Sequence, residues 1–295
     1  GAEVVLYDGS VIQVGGKSSD NPGYDLTGIL VGSEGTLGIA TKLILRIMPK
    51  PESVKTMLAV YNSLEDAGRA VSAIIADGIV PATLEMLDRL TIKAVEESIH
   101  AGFPLDAEAV LLIELDGLKD GMERLAERIM DICKKSNARE VKAAKTEAER
   151  TQLWAGRKGA FGAVARLRPN YLVCDGTVPR TKLPEVLTKV MEVGKKYGLE
   201  IANVFHAGDG NLHPLILFDE RNAEELRKVH LAGSEILKIC ADAGGTISGE
   251  HGIGTEKKKE MLFVFNPRDL DAMKRVKKAF DPDEVYNPGK VFPEA

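Results

Sequence analysis

A strand–helix–strand alternation, repeated from about residue 53 to residue 143, restricts the fold of this chain more than any other feature. Its firmest member is Ala109–Glu114, where Val110, Leu111, Leu112 and Ile113 form an unbroken apolar run bounded by polar residues. Such a run reads as a strand. An earlier strand is expected over Thr56–Tyr61. A helix follows it, opened by the Ser63/Asp66 capping pair and closed at Asp77 before Gly78. Ala82–Leu87 reads as a strand leading into a helix through Ser98. Gly121–Lys135 reads as a helix with Met122, Leu125, Ile129 and Ile132 on one stripe. Ala138–Val141 closes the series as a short strand. The rhythm predicts an α+β domain, with helices over one face of a largely antiparallel sheet.

The flanking segments read differently. Glu3–Tyr7 and Val11–Val14 predict a hairpin around Asp8-Gly9. So small a hairpin is marginal alone, so it needs a sheet from this chain or from a segment upstream of Gly1. Gly32-Ser33-Glu34-Gly35-Thr36-Leu37-Gly38-Ile39 concentrates glycine, which lets backbone turn sharply and approach a ligand closely. Its spacing is neither a Walker motif nor GxGxxG, so a cofactor loop and a plain tight turn both stand. Ile39–Ile47 reads as a strand stopped by Pro49 and Pro51, which places a boundary near Pro51.

Thr146 and Glu149 predict another capped helix, carrying Trp154, Arg157 and Lys158. Trp154 and Arg157 share a face, and the planar guanidinium suits a carboxylate clamp or an ordinary surface arginine. Tyr171–Val173 reads as a strand, Asp175–Pro179 as a turn, and Thr181–Tyr197 as a helix that tolerates Pro184 in its first turn. Glu224–Ala243 reads as a long helix with Leu226, Val229, Leu237 and Ile239 among its apolar positions. Shorter helices are expected over Lys257–Phe265 and Pro267–Ala279. A turn-rich tail, Asp281–Lys290, follows. The run Lys257-Lys258-Lys259 reads as a solvated helix face.

Composition excludes several classes. The chain has 295 residues, 39 Lys and Arg against 44 Asp and Glu, and a net charge of -5. That balance supplies no global field for nucleic acid. No apolar run approaches the roughly 18 residues of a membrane helix. Cys133, Cys174 and Cys240 lie far apart, which argues against a disulfide scaffold or an iron–sulfur cluster held by this chain alone.

The chain has five histidines, and two of them, His206 and His213, bracket a Gly-Asp-Gly-Asn turn between apolar segments. Across such a hairpin both imidazoles can face one locus. Gly244-Gly245-Thr246-Ile247-Ser248-Gly249-Glu250-His251-Gly252-Ile253-Gly254 adds a carboxylate and a third imidazole in a flexible loop. Two imidazoles and a carboxylate form a common set for a divalent transition metal. Successive side chains of extended backbone diverge, so Glu250 is assigned to the metal and His251 to proton transfer. An unshifted imidazole, with a pKa of about 6.5, suits that task. The alternative is a pair of turn histidines and a helix-capping loop. Asp209 reads either as a ligand or as a turn former. His100 and His230 read as surface residues.

These segments, with Asp175-Gly176-Thr177-Val178-Pro179 and Asn287-Pro288-Gly289-Lys290 in the same order, resemble the FAD-linked D-2-hydroxy acid dehydrogenases of the vanillyl-alcohol oxidase superfamily. The branch resembled holds bacterial glycolate oxidase flavin subunits and D-lactate dehydrogenases. The resemblance covers the whole chain. It implies part of a PCMH-type FAD-binding domain over 1–52 and a ferredoxin-like-derived cap with substrate and metal over 53–265. Residues 266–295 would return to the FAD domain. It also implies that an upstream segment, carrying much of the FAD site, belongs before Gly1.

Residue by residue, the resemblance implies that His206, His213 and Glu250 hold a divalent metal, zinc first, with manganese or iron as alternatives. His251 corresponds to the general base and Arg157 to the arginine that holds the substrate carboxylate. Gly32, Ser33, Gly35, Thr36, Gly38, Ile39 and Asn287 would contact FAD. Relatives for longer diacids carry an asparagine where this chain has Leu215, and some carry a basic residue near Val173 and Cys174. Both departures favour glycolate or D-lactate. The implied reaction is oxidation of that acid to the 2-oxo acid with hydride transfer to flavin N5.

Electrons would pass to a non-nicotinamide acceptor: a quinone, a cytochrome, an iron–sulfur subunit or an electron-transfer flavoprotein. A homodimer belongs to the same set of expectations, as does a cytoplasmic location with peripheral membrane attachment through a partner. The isolated chain is expected to be inactive. Two other classes stay open, a metal-dependent hydrolase and a non-catalytic fragment or structural subunit of a flavoprotein complex.

Overall fold

A computed structural model describes residues 1–18 and 22–294. The chain divides into two compact units, Gly1–Pro49 with Glu250–Ala295, and Lys50–Gly249. The first division falls close to Pro51. The second falls at Gly249, whereas the segmentation drawn from the resemblance placed it after residue 265.

The first unit opens with β1 (Ala2–Val5) and β2 (Val11–Val14), an antiparallel pair. Asp8 Oδ1 accepts from the Ser10 N–H at 2.9 Å and the Ser10 hydroxyl at 2.6 Å, an Asx turn that closes the hairpin. Helix α1 (Leu26–Leu30) follows, capped by the Asp25 side chain on the Gly28 N–H. Strand β3 (Ile39–Leu43) pairs with the free edge of β1, so the sheet order is β2-β1-β3. Its small core is Ala2, Val4 and Val14, with Leu6, Ile12, Leu26 and Leu30 packed against it.

The second unit contains the predicted alternation. Strand β4 (Ser53–Tyr61) leads to α2 (Leu64–Ala76), whose N-terminus is capped by Ser63 on the Asp66 N–H. Strand β5 (Thr83–Asp88) runs into α3 (Arg89–Ser98), and β6 (Ala109–Gly117) precedes α4 (Met122–Lys135) and β7 (Glu140–Ala143). Helix α5 (Glu147–Val164) is capped by Thr146 on the Glu149 N–H. Then come β8 (Asn170–Val173), β9 (Gly176–Thr177), α6 (Leu183–Tyr197), β10 (Glu200–His206), β11 (Asn211–Leu212), β12 (Pro214–Phe218) and α7 (Ala223–Asp242). Among the described residues the strands form one antiparallel sheet, ordered β7-β4-β6-β5-β10-β11-β9, with β12 joining β10 to β8.

Helices cover both faces of this sheet rather than one. On one side Leu58, Val60, Leu87 and Val110 pack with Ile92 and Val95 of α3 and Ala160 and Val164 of α5. On the other, Tyr61 meets Cys133 of α4, which neighbours α2, and α2 packs on α6. The reason lies in the strands themselves. Met57 to Tyr61 and Val110 to Ile113 are buried at every position, so each face needs its own cover.

Three local expectations change. In α4 the buried stripe is Met122, Ala126, Ile129 and Cys133, and Leu125 is exposed. Both rows fit 3.6-residue periodicity, and the packing of α4 against α2, β4 and β6 decides which one is buried. Asp175–Pro179 is not only a turn, because Gly176-Thr177 pairs with β11 and bridges Thr246. Lys257 is buried while Lys258 reaches the Gly289 carbonyl, so the lysine run is not one solvated face. Three consecutive residues cannot share a side of a helical turn.

After Gly249 the chain contributes α8 (Pro267–Phe280), capped by a reciprocal Asn266–Asp269 box, and the turn-rich tail to the first unit. Only a short 3-10 segment, Glu260–Phe263, forms where a helix was expected over Lys257–Phe265. Among the described residues no helix is long and apolar enough to cross a membrane.

Candidate active site

In the second unit the β10–β11 hairpin brings two histidines together. His206 ends β10 and pairs with Asn211, and a 3-10 turn over Ala207–Asp209 reverses the chain. Gly210 takes φ +71°, which suits glycine, and its carbonyl receives the Val178 N–H at 2.9 Å. His213 is buried between β11 and β12. The two imidazole centroids are 5.3 Å apart and their planes nearly perpendicular. Asp209 is exposed on the turn. His100 and His230 are exposed, as expected.

Glu85 organises this pair from the neighbouring strand. It stands opposite His206 in the β5–β10 register. Its Oε1 lies 2.8 Å from His206 Nδ1, and its Oε2 accepts from Arg157 Nε at 2.9 Å. Both Glu85 and Arg157 are buried, so Arg157 is not a surface residue. Among the described residues the Arg157 Nη groups donate no hydrogen bond, because the pairing uses Nε alone. Trp154 turns to a different partner. Its Nε1 donates to Glu114 Oε2 at 2.6 Å, where Arg150 and Thr56 also converge. Burial pushes the Glu114 carboxyl up, but the hydrogen bonds from Arg150, Thr56 and Trp154 outweigh it and hold the group below its ordinary value.

Asp175 is the second organising carboxylate. It is fully buried and accepts from the Ser248 hydroxyl at 2.8 Å and the Gly249 N–H at 3.0 Å. Its Oδ1 stands 3.4 Å from His213 Nε2. Gly249 has no room for a side chain, since a Cβ there would collide with the Asn211 amide. Leu215, two residues beyond His213, is buried in the core cluster beneath α3 and α5.

The sequence reading did not assign Glu85 a role, nor Asp175 one of orientation. The usable signal for Glu85 is a lone acid inside Leu84-Glu85-Met86-Leu87, otherwise an apolar strand. A buried acid in such a strand needs cationic or hydrogen-bonding partners.

The remaining expected residues lie in the first unit. Glu250 and His251 follow Gly249 directly and are both exposed. Thr36 donates its hydroxyl to the Ser33 carbonyl at 2.6 Å. Gly38 lacks a Cβ because one would sit 2.8 Å from Val4 Cγ1. Asn287 Nδ2 donates to the carbonyls of Glu34 at 2.9 Å and Gly35 at 3.2 Å. Gly32, at φ +80° with open space around its Cα, keeps backbone accessible.

Residues 50–291 match the family described as "FAD linked oxidases, C-terminal domain". The chain belongs to the FAD-linked oxidases. Within the family it is 48% identical over 291 residues to the glycolate oxidase subunit GlcD of Escherichia coli (strain K12), covering 99% of this chain and 58% of that protein. It is 30% identical over 294 residues to the mitochondrial D-lactate dehydrogenase [cytochrome] of Arabidopsis thaliana, covering 99% of this chain and 52% of that one. This FAD-linked oxidase chain therefore spans little more than half the length of these curated relatives. Its fold is shared with substrate-bound p-cresol methylhydroxylase, at a TM-score of 0.77 and 17% identity, over 98% of this chain and 64% of that one.

Proposed function

We propose that this chain forms the substrate-binding part of an FAD-dependent enzyme that oxidises a small D-2-hydroxy acid, glycolate or D-lactate, to the 2-oxo acid. One observation carries the reading. Glu85 ties Arg157, through Nε, to His206, through Nδ1, so a buried carboxylate joins a carboxylate anchor to a metal-type imidazole pair. Family membership and the named activities of the two curated relatives support the substrate class.

The donor set fits a divalent cation. His206 is oriented through Nδ1, which assigns Nε2 as its ligating nitrogen, as expected when a carboxylate fixes the tautomer. His213 supplies the second imidazole. Glu250, joined by one peptide bond to the anchored Gly249, supplies the carboxylate. Zinc suits this set, and manganese or iron remain chemically compatible. For FAD, the accessible backbone at Gly32 suits close approach of a phosphate-bearing cofactor. Ser33, Gly35, Thr36, Gly38, Ile39 and Asn287 form the rest of the proposed contact set. When bound, FAD supplies the two-electron acceptor and the divalent cation supplies Lewis acidity at the hydroxyl.

The chain's own residues do the rest. Arg157 receives the substrate carboxylate on its Nη groups, in the planar fork geometry that carboxylates match. Glu85 fixes the guanidinium so that the fork is oriented before substrate arrives. His251 accepts the hydroxyl proton on a ring nitrogen as the C2 hydrogen leaves with its electron pair. Leu215 offers no donor to a second carboxylate, which favours a monocarboxylate. Electrons then pass to a partner, an iron–sulfur subunit or an electron-transfer flavoprotein. The word "subunit" in the name of the Escherichia coli relative supports a multichain assembly.

The test is anaerobic mixing of the flavin-loaded full-length enzyme with glycolate, D-lactate and L-lactate. Bleaching of the flavin band near ~450 nm by the first two, lost in Arg157→Met, is the expected result. No bleaching by any small 2-hydroxy acid, with flavin demonstrably bound, would overturn the reading.

A further inference from the structure

We propose that Glu34 is a positioning residue for the Glu250–His251 segment, acting from inside the glycine-rich loop. The inference rests on the role assigned above to His251. Its observations lie wholly within the first unit. Glu34 Oε1 accepts from the Ile253 N–H at 2.6 Å and Oε2 accepts from the Gly254 N–H at 2.8 Å. One carboxylate thereby receives two consecutive backbone donors from a segment some 220 positions away. Charge-assisted bonds to backbone N–H groups are about twice as strong as neutral ones.

Both partners are shaped for this contact. Consecutive N–H groups converge on one anion only where the backbone turns back on itself. Gly252 and Gly254 supply that turn with φ of +87° and +50°. At Gly252 a Cβ would also lie 2.9 Å from the Glu34 carboxyl carbon, so a side chain is excluded twice over. Glu34 itself takes φ +53°, a left-handed conformation that a non-glycine residue holds only at a cost. The chain retains an acid at a position where glycine would be the relaxed choice.

The loop that carries Glu34 is pinned on its other side. Its carbonyl and that of Gly35 accept from Asn287 Nδ2. The Thr36 carbonyl accepts from Lys277 Nζ at 2.7 Å, and that ammonium also pairs with Asp281. On the far side, the Gly254 carbonyl receives the Val291 N–H at 2.8 Å. Glu34 thus joins the loop proposed for FAD to the backbone beginning two residues after His251. Its chemical consequence is that the proton acceptor and the cofactor loop share one support.

The experiment compares Glu34→Ala, Glu34→Gln and His251→Ala in the flavin-loaded full-length enzyme. Misplacing a reacting group by about 1 Å costs on the order of 10²-fold in rate. Glu34→Ala is expected to lower kcat by about that factor with little change in KM, because Arg157 still binds the carboxylate. Glu34→Gln, which keeps one acceptor oxygen, should recover part of the loss. Amide hydrogen exchange at Ile253 and Gly254 should rise in Glu34→Ala while β1 stays protected, a readout independent of turnover. Unchanged kcat in Glu34→Ala, while His251→Ala is inactive, overturns the proposal and leaves the reaction reading intact. Unchanged turnover in His251→Ala instead removes the base assignment and this inference with it. A turnover loss that follows loss of bound FAD or of folding, in both Glu34 variants, identifies a mere structural tie and also overturns the proposal.

Discussion

Glu85 and Arg157 form a buried ion pair, Nε to Oε2 at 2.9 Å, with side chains only 3% and 10% exposed. The pair joins β5 to α5 across one face of the sheet. Its second oxygen is occupied by His206. Removing either charge therefore acts on structure and on the site together.

Glu85→Ala should be the most damaging change to the second unit. It strands a buried guanidinium, a situation that costs about 3–5 kcal/mol. It also releases the His206 ring from its tautomer. Urea unfolding of the variant should show the loss, and bound metal should fall in parallel.

Arg157→Lys should separate binding from folding. Lysine keeps the charge beside Glu85 but has no planar fork. Hydrogen bonds to charged groups are worth about 1.5–3 kcal/mol, so KM for the hydroxy acid should rise by roughly 10- to 100-fold. Steady-state kinetics on the full-length enzyme would measure it. An unchanged KM would remove Arg157 from carboxylate binding.

Metal removal should silence the enzyme without removing the flavin. Dialysis against a chelator is expected to abolish bleaching by glycolate while the absorption of bound FAD persists. Restoring activity with zinc, manganese or iron in turn would identify the working ion. His206→Ala should resist restoration by all three.

Gly249→Ala should harm turnover through the loop it introduces. The added Cβ collides with the Asn211 amide and displaces the backbone whose N–H reaches Asp175. Overpacking of this kind typically costs about 1–3 kcal/mol. A melting curve together with metal content would show whether the strain is absorbed at Asn211 or passed to Glu250.

Acid should act on the Glu114 cluster in a defined direction. Despite burial, the Arg150, Thr56 and Trp154 hydrogen bonds depress the carboxyl below its ordinary 4.5. A depressed acid contributes stability that is present above its unfolded value and lost as pH falls through its folded value. The wild type should therefore lose stability below pH 4.5 more steeply than Glu114→Gln, which has no such proton to take up. Parallel acid limbs in the two proteins would exclude Glu114 from that loss.

Local signals were legible wherever a few neighbouring residues decide the conformation. Ser63 and Thr146 cap the helices they were read to cap, because an N-cap needs only the amide three residues on. The Asp8-Gly9 hairpin and the Val110–Ile113 strand follow for the same reason. Burial by register was less legible. The α4 stripe shifts from Leu125 to Ala126, and the Asp175–Pro179 turn carries a short strand, because β11 and Thr246 stand ready to pair with it. Lys257 turns inward, which no count of charge predicts.

The division between sequence and tertiary structure is sharpest at the carboxylates. By itself the sequence picked out the residues proposed to carry the chemistry: His206, His213, Glu250, His251 and Arg157 stand out by type, spacing and family resemblance. It also determined most strands and helices, since capping and periodicity are properties of short segments. Only the tertiary structure decided what orients those residues. Glu85 reaches Arg157 across 72 positions and His206 across 121, Asp175 reaches Gly249 across 74, and Glu34 reaches Ile253 across 219. Each is a single charge whose partner lies on another element. The reason is physical: a buried acid is tolerated only where donors converge, and that convergence is a property of the assembled sheet and loops.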